Sequence, residues 1–571
     1  MRPQARLRRR ECAQDGHWPE TLSPLLRRLY AARGATTIEQ AQPRLANLLA
    51  PDQLGGLDAA VALLSAAMAA DRHIVVVGDF DCDGATACAV GVRGLRMLGA
   101  RRVSHAVPNR MVHGYGLSPA LVEELAALQP DLLVTVDHGI ACHAGITAAK
   151  ARGWKVLVTD HHLPGEHLPP ADAIVDPNLQ GDAFPSKVLA GVGVMFYVLL
   201  ALRRHLRAQG AFADQVPDLS TLLDLVAVGT VADLVPLDAN NRALVGAGLR
   251  RLRAGQGSVG LRALIEVAQR DPGRLTASDI GFAVAPRLNA AGRLEDMSLG
   301  IECLLTDDLA RARDIAATLN EINSERRAVQ QQMTEEAEQA LARVAVLEQA
   351  ARSGVCLYDP QWHPGVVGLV ASKMKERLHR PVIAFAPAEP GSDTLRGSAR
   401  SIPGFHIRDA LADVAARHPT LIERFGGHAM AAGLSLRAEA YPAFAHAFEQ
   451  CAKAVLTPEL LQADFLSDGE LGAADFNRAS AESLRDGGPW GQGFPEPQFD
   501  GEFEVVSWRV VGERHLKLVL GFAGLHLNAI EFGGWIGEPP PARLRIAYRL
   551  EPDEYRGGDA VQLVVVHSES A

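Results

Sequence analysis

No run of about 18 uncharged apolar residues occurs in this 571-residue chain, so no helix is expected to cross a bilayer. The longest apolar stretches, residues 59–70 and 222–235, are too short, and Asp224 and Asp233 interrupt the second. Cysteine is scarce. There are 7, none in a Cys-x-x-Cys pair, which argues against a disulfide scaffold and a structural zinc site. The compartment is read as reducing, most simply the cytoplasm. Excess positive charge is missing as well. The net charge is −10, and residues 460–571, with 18 acidic and 9 basic side chains, carry nearly all of it. Global charge therefore gives no support for nucleic-acid binding, and any polyanion site must be local or neutralised by bound cations. His-Glu-x-x-His and the Gly-rich phosphate loop ending in Gly-Lys-Ser/Thr are absent, which excludes zincins and P-loop NTPases. No repeat or low-complexity segment occurs. Residues 1–10 hold five arginines with no apolar stretch behind them, so they read as a solvated tail and not a secretory signal.

What remains is an ordinary globular composition, 48% hydrophobic and 22% charged, long enough for three or four domains. After an N-terminal segment (1–50), residues 51–300 alternate short apolar runs (73–77, 131–136, 155–158, 171–175) with amphipathic stretches (119–128, 146–151). That alternation predicts an α/β domain built on a parallel sheet covered on both faces. Residues 301–353 contain no Gly or Pro and space their apolar residues helically, which predicts one long connecting helix or two. Residues 354–455 return to α/β patterning, with a strand at 381–385. Residues 456–571 turn to period two, with Leu516, Leu518 and Leu520 on one face of a strand. Leu544, Ile546, Tyr548 and Leu550 likewise share a face opposite Arg543, Arg545 and Arg549, so a small antiparallel β-barrel or sandwich is expected.

The informative residues follow the early strands. The first run leads into Gly78-Asp79-Phe80-Asp81-Cys82-Asp83-Gly84, the second into Asp137-His138-Gly139, the third into Asp160-His161-His162, and the fourth into Asp176-Pro177-Asn178. In parallel α/β sheets the functional crevice lies at the carboxyl ends of the strands. Converging carboxylates repel and would protonate unless cations are bound. Hard oxygens with one or two imidazoles suit Mn²⁺ or Mg²⁺, which predicts a site for two divalent ions. A single such motif would fit a capped turn equally well. An EF-hand is excluded, because the twelfth position counted from Asp79 is Val90 where a Glu is required.

These motifs resemble the DHH phosphoesterases. Further matches are Ala190-Gly191-Val192-Gly193, Gly229-Thr230-Val231-Ala232-Asp233 and Pro286-Arg287-Leu288-Asn289-Ala290-Ala291-Gly292-Arg293. Arg396-Gly397-Ser398-Ala399-Arg400-Ser401 and Phe425-Gly426-Gly427-His428 resemble the accompanying DHHA1 domain. In this order, over about residues 50–450, the set resembles the family's single-strand-specific 5′→3′ DNA exonucleases. The resemblance implies that Asp81, Asp83, Asp137, His161 and Asp233 hold metal, with Asp79 an acidic neighbour in the same set. It implies that His162, with Asp160 beside it, acts on the phosphoryl group, although a buried hydrogen-bonded histidine is the alternative for His162. Val77 stands where many smaller members carry a histidine. Arg110, Arg287, Asn289, Ser398, Arg400, Gly427 and His428 are the phosphate-side candidates, because Arg matches phosphate with a planar fork and glycine permits close approach. The C-terminal barrel resembles an OB fold that would bind single-stranded DNA through Arg543, Arg545 and Arg549, or serve as a packing module. The resemblance further implies a monomer acting in DNA repair and recombination with single-strand-binding protein and a RecQ-type helicase. Two other readings stay open: a phosphodiesterase of short oligoribonucleotides or cyclic dinucleotides, and a non-catalytic replisome scaffold.

Overall fold

The computed structural model describes residues 6–11, 16–109, 112–213, 215–294, 296–343 and 352–571. They form two compact units, Arg9–Asn323 with Ser467–Ala571, and Ser324–Leu466 with the residues up to Arg8.

A short strand, β1 (Arg6–Arg9), opens the chain. The larger unit is then built on five parallel strands, β2 (Ile74–Val77), β3 (Val103–Ala106), β4 (Leu132–Val136), β5 (Lys155–Thr159) and β6 (Ala173–Val175), in the order β3-β2-β4-β5-β6. The continuous apolar runs are explained by burial on both faces. Ile74, Val76, Val134 and Leu157 join the core that includes helices α1 (Cys82–Met97) and α2 (Gly191–Ala208). Val75, Val77, Leu133 and Val158 pack with the two helices Pro119–Leu125 and His143–Ala151 on the other side. β3 escaped the sequence reading because Ser104 and His105 interrupt its apolar character at the sheet edge. From β2 the chain moves outward to β3 and then returns past β2 to β4, so the connections diverge between β2 and β4. A crevice opens at the carboxyl ends of these two strands.

Among the described residues the expected helical stretch holds two helices, and residues 344–351 of it lie outside them. Ser298–Leu305 ends where Thr306 turns extended, and Asp308 then caps a new helix by accepting the N–H groups of Ala310 and Arg311. That helix, Leu309–Arg343, has 35 residues and a length of about 52 Å. Ile315, Ala316 and Leu319 of its first half enter the larger unit's core.

The smaller unit carries β7 (Val355–Tyr358), β8 (Val382–Pro387), β9 (Thr394–Arg400), β10 (Arg424–Gly427) and β11 (Ala431–Arg437), ordered β10-β11-β9-β8-β7. Only β7 and β8 pair in parallel. Phe385, Phe444 and Phe448 centre its core.

After β12 (Asp464–Ser467), the C-terminal strands β13 (Phe499–Val511), β14 (His515–Phe522), β15 (Leu525–Glu531), β16 (Arg543–Pro552) and β17 (Val561–Ser570) close into a barrel. Its period-two leucines point inward, as read from the sequence. Leu516, Leu518, Leu520, Leu544, Ile546, Tyr548 and Leu550 are all buried.

Arg6 to Arg10 are not a solvated tail; residues 1–5 of that stretch lie outside the described residues. β1 pairs with β12, and Arg9 binds Asp500 at 2.8 Å and also Glu470. Further in, Arg33 and Asp468 form a two-pronged pair (3.0 and 2.9 Å) with side chains 0% and 1% exposed. Arg33 also donates to the carbonyls of Leu29 and Pro495, so every prong of the guanidinium is used. Removing one partner of such a pair strands the other charge. Asp468→Asn should lower unfolding stability in urea by about 3–5 kcal/mol, whereas the double variant Arg33→Met/Asp468→Leu should recover most of that loss.

Candidate metal centre

Asp79, Asp81 and Asp83 follow β2. Asp81 caps α1, its Oδ1 accepting the Gly84 N–H at 3.0 Å, so this acidic loop is also the start of a helix. Asp83 is buried, and both its oxygens point at the first turn of α2: Oδ2 accepts Gly191 N–H at 2.7 Å and Oδ1 accepts Val192 N–H at 3.0 Å. A helix N-terminus favours a carboxylate, which is why Asp83 can sit there. Asp137 follows β4 with φ +64°, a left-handed conformation that aspartate tolerates better than most residues. Asp233 ends helix α3 (Leu223–Ala232), where the helix dipole works against a negative charge.

Glycines make room for this packing. A Cβ on Gly191 would lie 2.5 Å from Asp137 Cβ, and one on Gly229 would lie 2.2 Å from Thr86 Oγ1 and 2.7 Å from Asp83 Oδ1. Both positions fall inside motifs quoted above, but composition and spacing gave no hint that the missing side chain was the point.

Three groups of ligand atoms converge: Asp79, Asp81 and Asp137; Asp83, His161 and Asp233; and Asp137, His161 and His162. Within each, the atoms lie within 4.8 Å of one another. His161 Nε2 stands 3.1 Å from Asp137 Oδ1 and 3.6 Å from Asp233 Oδ2. Burial, and then the neighbouring carboxylates, push Asp83, Asp137 and Asp233 well above the usual carboxylate range. The cluster holds too much negative charge for its surroundings, and its oxygen-rich donor set with imidazole fits a hard divalent cation.

Asp160 plays a different part. Its Oδ2 accepts Ile140 N–H at 2.9 Å, and its Oδ1 accepts the His161 and His162 N–H groups at 2.7 and 3.1 Å and faces His162 Nδ1 at 2.7 Å. Burial opposes charge on both partners, but their mutual contact prevails, holding Asp160 down at about 2 and His162 up at about 9. His162 is thus kept as an imidazolium, and its other nitrogen, Nε2, lies 3.5 Å from the Tyr115 hydroxyl. Asp176, the fourth strand-end carboxylate, is in none of the three groups. It accepts Asn178 N–H at 2.8 Å, and Asn178 donates to the His161 carbonyl at 2.6 Å, bracing the histidine turn from behind. His138 is buried beneath the site against the Val77 carbonyl, and burial lowers it to about 4, so it is neutral.

The phosphate-side candidates divide. Asn289 Oδ1 accepts Cys82 N–H at 2.7 Å and so fixes the acidic loop. Arg287 is buried, donating to Asn320 Oδ1 at 3.0 Å and to the Ala283 carbonyl, a use of the fork that ties helices together. Arg110 lies outside the described residues. Ser398 and Arg400 belong to β9 of the smaller unit, side by side over Gly368, where an added Cβ would stand 3.0 Å from Arg400 Nη2 and 3.5 Å from Ser398 Oγ. Gly427 has φ +141°, and an added Cβ would lie 2.5 Å from the Ala431 carbonyl oxygen; this glycine admits the return strand of its own hairpin. His428 N–H closes that hairpin on the Ala431 carbonyl. In the barrel, the arginines expected to grip nucleic acid are matched by acids: Arg543 by Glu502, Arg545 by Asp500 and Glu569, Arg549 by Glu496 and Glu551.

Residues 73–230 match the DHH family, N-terminal domain, residues 346–454 the DHHA1 domain, and residues 467–567 the RecJ OB domain. The chain is 49% identical over 573 residues to the single-stranded-DNA-specific exonuclease RecJ of Salmonella typhimurium, covering 99% of each. It is similar to the crystal structure of RecJ in complex with Mn²⁺ from Thermus thermophilus, with a TM-score of 0.78, 32% identity, and coverage of 96% of this chain and 76% of that one. The complex with Mg²⁺ from the same organism gives a TM-score of 0.74 at 30% identity, with 96% and 75% covered.

Gly229→Ala tests the geometry. Alanine favours the helix, so α3 should survive, but the added methyl must displace Thr86 and Asp83. Mn²⁺ affinity by calorimetry should fall about 10- to 100-fold while the unfolding transition is retained.

Proposed function

The chain belongs to the RecJ family of single-stranded-DNA-specific exonucleases, and on that footing we propose that it degrades single strands from the 5′ end, releasing 5′-mononucleotides. It is a metal-dependent hydrolase of phosphodiester bonds. The observation that carries the reading is the convergence of Asp79, Asp81, Asp83, Asp137, Asp233 and His161 at the crevice between β2 and β4. A decayed scaffold has no need for such a costly cluster of charge.

Asp79, Asp81, Asp83, Asp137, His161 and Asp233 hold the divalent ions, two in number in our reading. Bound there, Mn²⁺ or Mg²⁺ would neutralise phosphate charge and activate water for in-line attack. The chain's own residues do the rest. Asp160 keeps His162 protonated and fixes its ring through Nδ1, so that Nε2 can donate to a phosphoryl oxygen or pass its proton to the departing 3′-oxygen. Residues 51–300 form the catalytic domain in this scheme. The connecting helix (301–353) leads to residues 354–455, where Ser398 and Arg400 take the 5′-terminal phosphate; Arg110, outside the described residues, is a further phosphate candidate by motif. Residues 456–571 carry the trailing strand. Because Arg543, Arg545 and Arg549 are matched by acids, the barrel's grip shifts to Arg509, Arg514 and Lys517. These form no ion pair among the described residues, and the exposed Trp508 stacks on Trp535 at 5.5 Å nearby in the same barrel. The same reading makes the enzyme a cytoplasmic monomer that works in DNA repair and recombination with single-strand-binding protein and a RecQ-type helicase. No helix among the described residues is long and apolar enough to cross a membrane.

Digestion of single- and double-stranded DNA labelled at either end, with and without Mn²⁺, tests the proposal. Loss of 5′-label as mononucleotide is expected, and loss from the 3′ end would refute the polarity. His162→Ala should lower kcat about 10²- to 10⁴-fold. The imidazolium is present below about 9 and lost above it, so wild-type kcat should decline through that pH. Asp160→Asn removes the partner that raises it, and the alkaline limb should move down toward the ordinary imidazole range near about 6.5. Arg400→Ala should erase the preference for 5′-phosphate over 5′-hydroxyl ends without changing Mn²⁺ affinity. An unchanged preference would place the phosphate grip elsewhere.

A further inference from the structure

Tyr115 was not among the residues singled out by motif. It stands between Gly114 and Gly116, whose φ values of +75° and +67° lie in the left-handed region that favours glycine. A Cβ on Gly116 would lie 2.7 Å from Cys142 Sγ and 3.3 Å from His138 Nδ1, so this backbone is pressed onto the floor of the site. The Tyr115 hydroxyl reaches to 3.5 Å from His162 Nε2, the ring nitrogen opposite the Asp160 contact. Its ring meets Phe80, between Asp79 and Asp81, edge to face at 5.9 Å and 81°, and meets His162 at 6.2 Å and 81°. The hydroxyl end lies in the field of Asp79, Asp81, Asp137 and Asp160, yet the residue is 50% exposed. The side chain therefore places its hydroxyl beside the acidic cluster while the residue as a whole remains half exposed, its ring held by Phe80 and His162.

We propose that Tyr115 is a positioning and specificity residue whose ring seats the nucleobase of the terminal nucleotide while its hydroxyl aligns His162. The inference rests on the exonuclease reading above. The chemistry suits the place. Beside so many carboxylates a cationic side chain would be drawn to them and not to a base, whereas an aromatic face attracts any base, because every base has a π-face. A sequence-neutral exonuclease needs that kind of recognition. The flanking glycines let the loop present the ring at the rim, and Phe80 ties it to the acidic loop.

The test compares wild type, Tyr115→Phe and Tyr115→Leu on 5′-phosphorylated single strands whose terminal nucleotide either carries its base or is abasic. Wild type should favour the base-bearing end about 5- to 150-fold in kcat/KM, the range for one base–aromatic stack. Tyr115→Leu should bring that ratio close to one, chiefly through KM. Tyr115→Phe should keep the ratio and lose about tenfold in kcat, having lost only the hydroxyl contact. A wild-type ratio in Tyr115→Leu would overturn the seating role, and unchanged kcat in Tyr115→Phe would overturn the alignment role. Failure of wild type to degrade either strand would instead refute the exonuclease reading, and this inference with it.

Discussion

The carboxylate of Asp83, buried and held by the amide groups of Gly191 and Val192, is the contact around which the larger unit is arranged. A helix N-terminus supplies partial positive charge and unpaired donors, and α2 spends both on this one side chain. Holding α2 so close demands a glycine at its first position, since Asp137 leaves no room for a side chain there. Holding α3 on the other flank demands Gly229. The sheet order then matters because it opens a crevice between β2 and β4, where the acidic loop and Asp137 meet. Even so, the helix dipole compensates only Asp83. Asp137 and Asp233 remain in an interior that opposes their charge, and at Asp233 the end of α3 adds to the opposition. The fold is poised for cations.

Two carboxylate populations with opposite behaviour share this crevice. Asp83, Asp137 and Asp233 are driven upward by burial and by neighbouring carboxylates, Asp81 acting on all three. Asp160, equally buried, is driven downward because it faces three N–H groups and an imidazolium. In the proposed mechanism that contrast separates metal holding from proton handling within one Asp-His-His turn: His161 faces Asp137 and Asp233, while His162 is held by Asp160. Asn178 and Asp176 stiffen the turn from behind, so that the two rings, 4.5 Å apart, keep separate directions.

Much of this was legible in the chain. Runs of β-branched residues gave the parallel strands because burial on both faces leaves no polar alternation to blur them. The acids behind those runs gave the site because strand ends converge. Period-two leucines gave the barrel. Other features were hidden. β3 carries Ser104 and His105 and has no apolar signature. The break at Thr306 needed attention to Asp308 as a cap. Asp176 looked equivalent to Asp137, but it lies in none of the three ligand groups and accepts the Asn178 N–H instead. Arg287 and Asn289 share a motif with the site, but their partners (Asn320, Ala283 and the Cys82 amide) lie far away in sequence or on unremarkable backbone. The barrel arginines read as a basic stripe because their acidic neighbours, apart from Glu551 on β16 itself, come from other strands and from the segment before β13.

The central claim is that the carboxylates of the crevice are held in an environment that protonates them until divalent cations replace the protons. Calorimetric titration with Mn²⁺ in buffers of different ionisation enthalpy measures that exchange directly. The account predicts net proton release on binding, larger near pH 6 than near pH 8, because raised carboxylates keep more of their protons at the lower pH. Binding with no proton release at either pH would contradict it.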